Sequence, residues 1–135
     1  MRYFADTVVT LKAVATQLKQ FDPNFKIDGG ELSRGGEMLA EIEINASGSD
    51  LFAEDLAAKV ADLERVGSPA ARHLVGRMQR TQSIVTLHIL DTANPQAQWE
   101  MLTPVWSALP ALSTGITQSD GQGFYDNGQL VVPMQ

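Results

Sequence analysis

The chain of 135 residues contains no cysteine. Disulfides, thiolate nucleophiles, iron–sulfur clusters and cysteine-based zinc sites are all excluded by that one fact. Basic residues run out early. Beyond Arg80 there is neither Lys nor Arg, and the charged residues that remain are Asp91, Glu100, Asp120 and Asp126. With a net charge of −6, the chain lacks the electropositive face that a phosphate backbone requires, so nucleic acid is not an expected partner. Long apolar runs are missing as well. Asp6, Lys12 and Lys19 interrupt the N-terminal segment where a secretion leader would be apolar, and no stretch elsewhere is long enough to span a bilayer. A cytoplasmic protein with no membrane partner is the expectation.

What is present fits an ordinary globular chain, with 44% hydrophobic and 19% charged residues. A domain of this size buries about two-thirds of its unfolded surface, enough for a real core. Residues 1–135 are expected to form a single domain.

The spacing of Phe4, Val8, Leu11, Ala15, Leu18 and Phe21 predicts a helix from about residue 6 to 21, capped by Asp6 and ended by Asp22-Pro23. Residues 23–37 carry four glycines and admit either a loop or a hairpin, with Phe25-Lys26-Ile27 as a strand and Gly29-Gly30 as its reversal. The alternation of Met38, Ala40, Ile42, Ile44 and Ala46 with polar residues predicts a strand. Ser47–Asp50 then caps a helix whose buried stripe is Phe52, Leu56, Val60 and Leu63, ended by Gly67. Ser68-Pro69 opens the next helix, with Leu74 and Met78 inward. Residues 83–90 are apolar on both faces, as in a central strand. Asn94-Pro95 opens a further helix carrying Trp99, Leu102, Trp106 and Leu109 on one stripe, with a kink or break at Pro104. Both tryptophans are expected in the core.

Asp120-Gly121 and Asn127-Gly128 are two-residue hairpin signals. Counting outward from both sets Ile116 opposite Tyr125 and Tyr125 opposite Leu130, with Thr117, Phe124 and Val131 on the other face. The class that follows is α+β: a mostly antiparallel sheet with helices packed on one face, in the order α-β-α-α-β-α-β-β, closing with a β-meander.

Chemistry-bearing motifs are scarce. Residues 121–126 begin like a dinucleotide fingerprint but end on Asp126 and lead into a strand, not a helix. Residues 30–37 have the glycine spacing of a phosphate loop, yet Gly36-Glu37 stands where a lysine followed by Ser or Thr is needed. No metal site or cofactor is implied, and no catalytic constellation is complete. His88 shares a strand face with Ile84 and Thr86, where Glu41 or Glu43 can pair with it. Arg72, His73, Arg77 and Arg80 cluster on one helix and offer a grip for a phosphate or carboxylate, with His88 as the one plausible proton carrier.

Two readings of function follow. The first is a small non-catalytic module that binds a protein partner or self-associates as a homo-oligomer, using the sheet face of Thr117, Phe124 and Val131. The second is a binding protein or enzyme for a small anionic ligand, held by Arg72, His73, Arg77, Arg80 and His88.

Overall fold

Side chains along the first strand alternate between two separate cores: Tyr3 and Ala5 belong to one cluster and Phe4 to the other. That alternation is the period of a strand buried on both faces. It organises the whole molecule. In the computed structural model, which describes residues 1–90 and 95–134, the elements run β1 (Arg2–Ala5), α1 (Leu11–Phe21), β2 (Phe25–Asp28), β3 (Glu31–Arg34), β4 (Glu37–Ala46), α2 (Asp50–Val66), α3 (Pro69–Met78), β5 (Ser83–Ile89), α4 (Pro95–Met101), α5 (Thr103–Leu112), β6 (Gly115–Ser119), β7 (Gly123–Asp126) and β8 (Gln129–Pro133). The strands form one eight-stranded antiparallel sheet in the order β2-β3-β4-β5-β1-β6-β7-β8.

The α+β class and the antiparallel sheet are as expected. The helices, however, cover both faces rather than one. On the first face Val14 and Leu18 of α1 and Val105, Ala108 and Leu109 of α5 pack over Phe25, Leu32, Ile42, Val85 and Leu87. On the second face Phe52 and Leu63 of α2 and Leu74 and Met78 of α3 pack over Phe4, Ile84, Ile116 and Phe124. Two apolar faces cannot both be hidden by one helical layer, and each buried Leu or Phe contributes about 1.5–3 kcal/mol by leaving water.

Coverage is diagonal. The pair α1 and α5 lies over the β2–β5 half of the first face, while α2 and α3 lie over the β1–β8 half of the second. Among the described residues, two quarters of the sheet therefore carry no helix. On the second face the bare quarter is polar, with Lys26, Glu31, Glu41, Glu43 and His88 exposed. On the first face it is aromatic and weakly polar, and there the candidate site lies.

The expected helix over 6–21 forms only from Leu11 to Phe21; residues 6–10 are a connection, and Phe4, counted in its stripe, belongs to β1. Thr10, not Asp6, is the N-cap, its side chain accepting from the Ala13 amide at 3.1 Å. Tertiary pairing on both edges of Arg2–Ala5 overrides the helical spacing of Phe4 and Val8. The connection is pinned by the buried Ser83 hydroxyl, which donates to the Thr7 carbonyl at 2.7 Å and accepts from the Val9 amide at 3.0 Å. Gly29-Gly30 does turn a hairpin, with φ of +57° and +85°.

The caps at Ser49, Ser68 and Gly67 form as expected. So does the central position of β5, between β4 and β1. Pro104 coincides with a break between α4 and α5 at Leu102. Asn94, expected to open that helix, lies outside the described residues, as does the Trp99 side chain.

The C-terminal meander forms with a different register. Thr117 pairs with Tyr125, Gln118 with Phe124 and Ser119 with Gly123, so three residues join β6 to β7. Asp120-Gly121 does sit inside a turn closed by the Gln122 amide on the Ser119 carbonyl at 3.1 Å, but Gln122 is an additional loop residue. A slip of one residue moves every side chain to the opposite face. The second turn is as expected: Asn127 and Gly128 both have positive φ, and Tyr125 faces Leu130. Val131 is then a bulge, because Phe124 pairs with Val132.

Candidate functional site

The bare quarter of the first face holds a cleft of about 810 Å³. Its floor is the strand surface carrying Tyr3 of β1, Gly115 and Thr117 of β6 and Tyr125 of β7, at alternating positions that face this side. Trp106 and Pro110 of α5 form one wall, and the β7–β8 turn at Asp126–Gly128 forms the other. A volume of this size suits a small organic molecule.

Tyr3 is 3% exposed, and its hydroxyl donates to the Ser113 carbonyl at 2.6 Å. Burial, with the Asp6 charge adding to it, pushes its pKa up to about 12. The group is a neutral phenol at physiological pH and contributes a ring, not a base. Its position depends on Gly115. A Cβ there would stand 2.3 Å from the Phe4 carbonyl oxygen and 2.9 Å from the Tyr3 ring. Tyr125 is tethered by its hydroxyl, which donates to Gln122 Oε1 at 2.6 Å.

Arg77 reaches this cleft from α3. Its Nη1 donates to Asp126 Oδ2 at 3.4 Å, and its Nη2 lies 4.0 Å from Asp6 Oδ2. Arg80 sits 3.6 Å from the same Asp6 oxygen. Two guanidinium groups thus face two carboxylates. The buried Nε of Arg77 has no hydrogen-bond partner among the described residues.

The expected anion grip does not assemble. Arg72 turns back to the Gly67 carbonyl, His73 is exposed to solvent, and Arg80 points its charge at Asp6. Of the cluster only Arg77 lines the cleft. His88 stands on β5 directly opposite Glu41, exposed, on the bare polar quarter of the other face. It borders a second, smaller hollow of about 440 Å³ with Arg2 and Asp120, and does not meet the arginines. Among the described residues, no three His, Asp or Glu side chains are placed to hold a metal ion.

The expected interface does not assemble either. Phe124 is fully buried beneath α2 and α3, whereas Thr117 lies on the opposite face in the cleft, and Val131 is half-buried at the bulge. The one-residue difference in the β6–β7 loop separates them. Tyr3 and Gly115 carry no motif in the sequence; what marks them is their pairing, Arg2–Ala5 against Gln118–Gly115, which spans more than a hundred residues.

What fold and site define is an α+β protein with an eight-stranded antiparallel sheet and an aromatic cleft on one uncovered quarter of it. Comparison with protein families, with curated proteins and with solved structures finds no match to this chain. Among the described residues no helix is long and apolar enough to cross a membrane.

Proposed function

We propose that the protein is a small-molecule-binding module whose ligand occupies the cleft between α5 and the β7–β8 turn. One observation carries this reading: the quarter of the first face that no described helix covers is concave and lined by Trp106 and Tyr125, with the buried Tyr3 ring in its floor. Aromatic side chains left at a concave surface are the usual makings of a ligand site, with a few polar groups to orient what binds. Among the described residues no histidine lines the cleft, its Asp126 carboxylate is held by Arg77 and its Met1 amine faces Asp120, so binding, not chemistry, is the activity we assign. The absence of cysteine is compatible with the cytoplasmic location that belongs to this reading.

The test is a fragment screen followed by two-dimensional NMR on labelled protein. Ligands should move the amide signals of Gly115, Thr117 and Tyr125 together. Fragments that bind only elsewhere on the surface, across a varied set, would refute the assignment.

Self-association is a second reading, supported by Leu130, which is 46% exposed on edge strand β8 next to Tyr125. A second copy laid on β8 would cover that side chain. Light scattering distinguishes the two: a dimer that dissociates on Leu130→Asp would favour this alternative, and a concentration-independent monomer would end it.

A further inference from the structure

We infer that the cleft's ligand is a flat, uncharged nitrogen heterocycle carrying N–H donors, and not the anion suggested by the arginine cluster. The inference rests on the cleft being a ligand site. Charge balance is its first support. Arg77 and Arg80 face Asp6 and Asp126 at 3.4 to 4.0 Å, and the Met1 ammonium at the cleft's edge lies 4.0 Å from Asp120, so the six groups sum to no net charge. An anion placed beside Arg77 would also lie beside Asp126, and a cation drawn to Asp126 would meet Arg77. Neither charge gains what it loses in leaving water.

The second support is the set of polar atoms left over. Asp126 is about one-third exposed, and its Oδ1 accepts no hydrogen bond among the described residues, while Oδ2 is taken by Arg77. That free oxygen calls for an N–H donor on the ligand. Gln122 has given its Oε1 to Tyr125, which leaves its amide N–H groups to donate. The Thr117 hydroxyl can do either. A ligand edge that both donates and accepts matches these three groups, and a ring matches the aromatic remainder of the lining.

Adenine, benzoate and benzamidine are all planar; at pH 7 the first is a neutral nitrogen heterocycle, the second an anion and the third a cation, so they serve as probes. In NMR titrations adenine should bind at least tenfold tighter than the other two and shift Thr117 and Tyr125. Asp126→Asn should reverse the order: it removes a carboxylate, weakens adenine several-fold, and leaves Arg77 with charge to attract benzoate. Benzoate or benzamidine binding the wild-type cleft more tightly than adenine would overturn the inference while leaving the cleft a ligand site. If none of the three moves a cleft signal, this inference falls; the assignment of the cleft itself is then decided by the broader fragment screen.

Discussion

Thr117 and Tyr125 stand directly opposite one another across β6 and β7, and both turn toward the cleft. The same pairing sends Phe124 and Gln118 to the other face, where Phe124 is fully buried against α2 and α3. One register thus makes the floor of the site and anchors the second core. Substitutions on the two sides of this hairpin should behave very differently.

Phe124→Ala is expected to lower stability by about 3–5 kcal/mol, the range for deleting a buried aromatic ring. Leu130→Ala, on the exposed edge, should change it by less than about 1 kcal/mol. Urea unfolding of both variants checks the contrast. Similar losses would mean that the register is wrong.

Thr117→Trp should fill the cleft and abolish fragment binding. Because Thr117 is only half-buried and its side chain faces open volume, stability should stay within about 1 kcal/mol of wild type. Binding that survives this variant would place the ligand elsewhere.

Gly115→Ala should destabilise by roughly 1–3 kcal/mol, since its Cβ overlaps the Phe4 carbonyl and presses on the Tyr3 ring. The more telling readout is the ring signals of Tyr3, which should shift. Gly123→Ala should be worse, because its φ is +133° and its Cβ would lie 2.1 Å from the Val132 carbonyl oxygen. Thermal unfolding ranks the two.

Tyr3 sets an alkaline limit. Its folded pKa of about 12 lies above the ordinary value of 10, so the folded state holds its proton longer than the unfolded chain does. Its contribution is complete below pH 10 and is lost as pH rises from 10 to 12, by roughly 2–3 kcal/mol in all. Tyr3→Phe should flatten that limb, at a cost of about 1 kcal/mol at neutral pH for the lost bond to the Ser113 carbonyl. Chemical denaturation across this pH range is the measurement.

At the acid end, Asp22 is held below the usual carboxylate range, first by the Asn24 amide and then by Arg34, whose Nε lies 2.9 Å away. Stability from this group is present above the ordinary pKa of 3.8 and is lost as pH falls through the lowered value. Asp22→Asn should therefore flatten the acid limb of the stability profile. An Asp22 carboxyl that titrates at 3.8 by NMR would contradict the assignment.

Elements with local signals were legible in the sequence. Caps at Ser49 and Ser68, the stripe from Phe52 to Leu63 and the alternation in β4 depend on neighbours in the chain, and all form. Partnerships at long range were not legible. β1 has four residues and no alternation of polarity, and is a strand because β5 and β6 flank it. The site was hidden for the same reason: its floor joins Tyr3 to Gly115, Thr117 and Tyr125, and which of Phe124 or Tyr125 faces the cleft depends on a single loop residue, Gln122. The arginines were visible, but not the carboxylates of Asp6 and Asp126 that occupy them.

A crystallographic soak of the wild-type protein with planar fragments tests the ligand site most directly. Electron density for a fragment between Trp106 and the β7–β8 turn, within hydrogen-bond distance of Asp126, is the expected result. A cleft filled by a neighbouring copy of the chain, or left empty while fragments bind elsewhere, would contradict it.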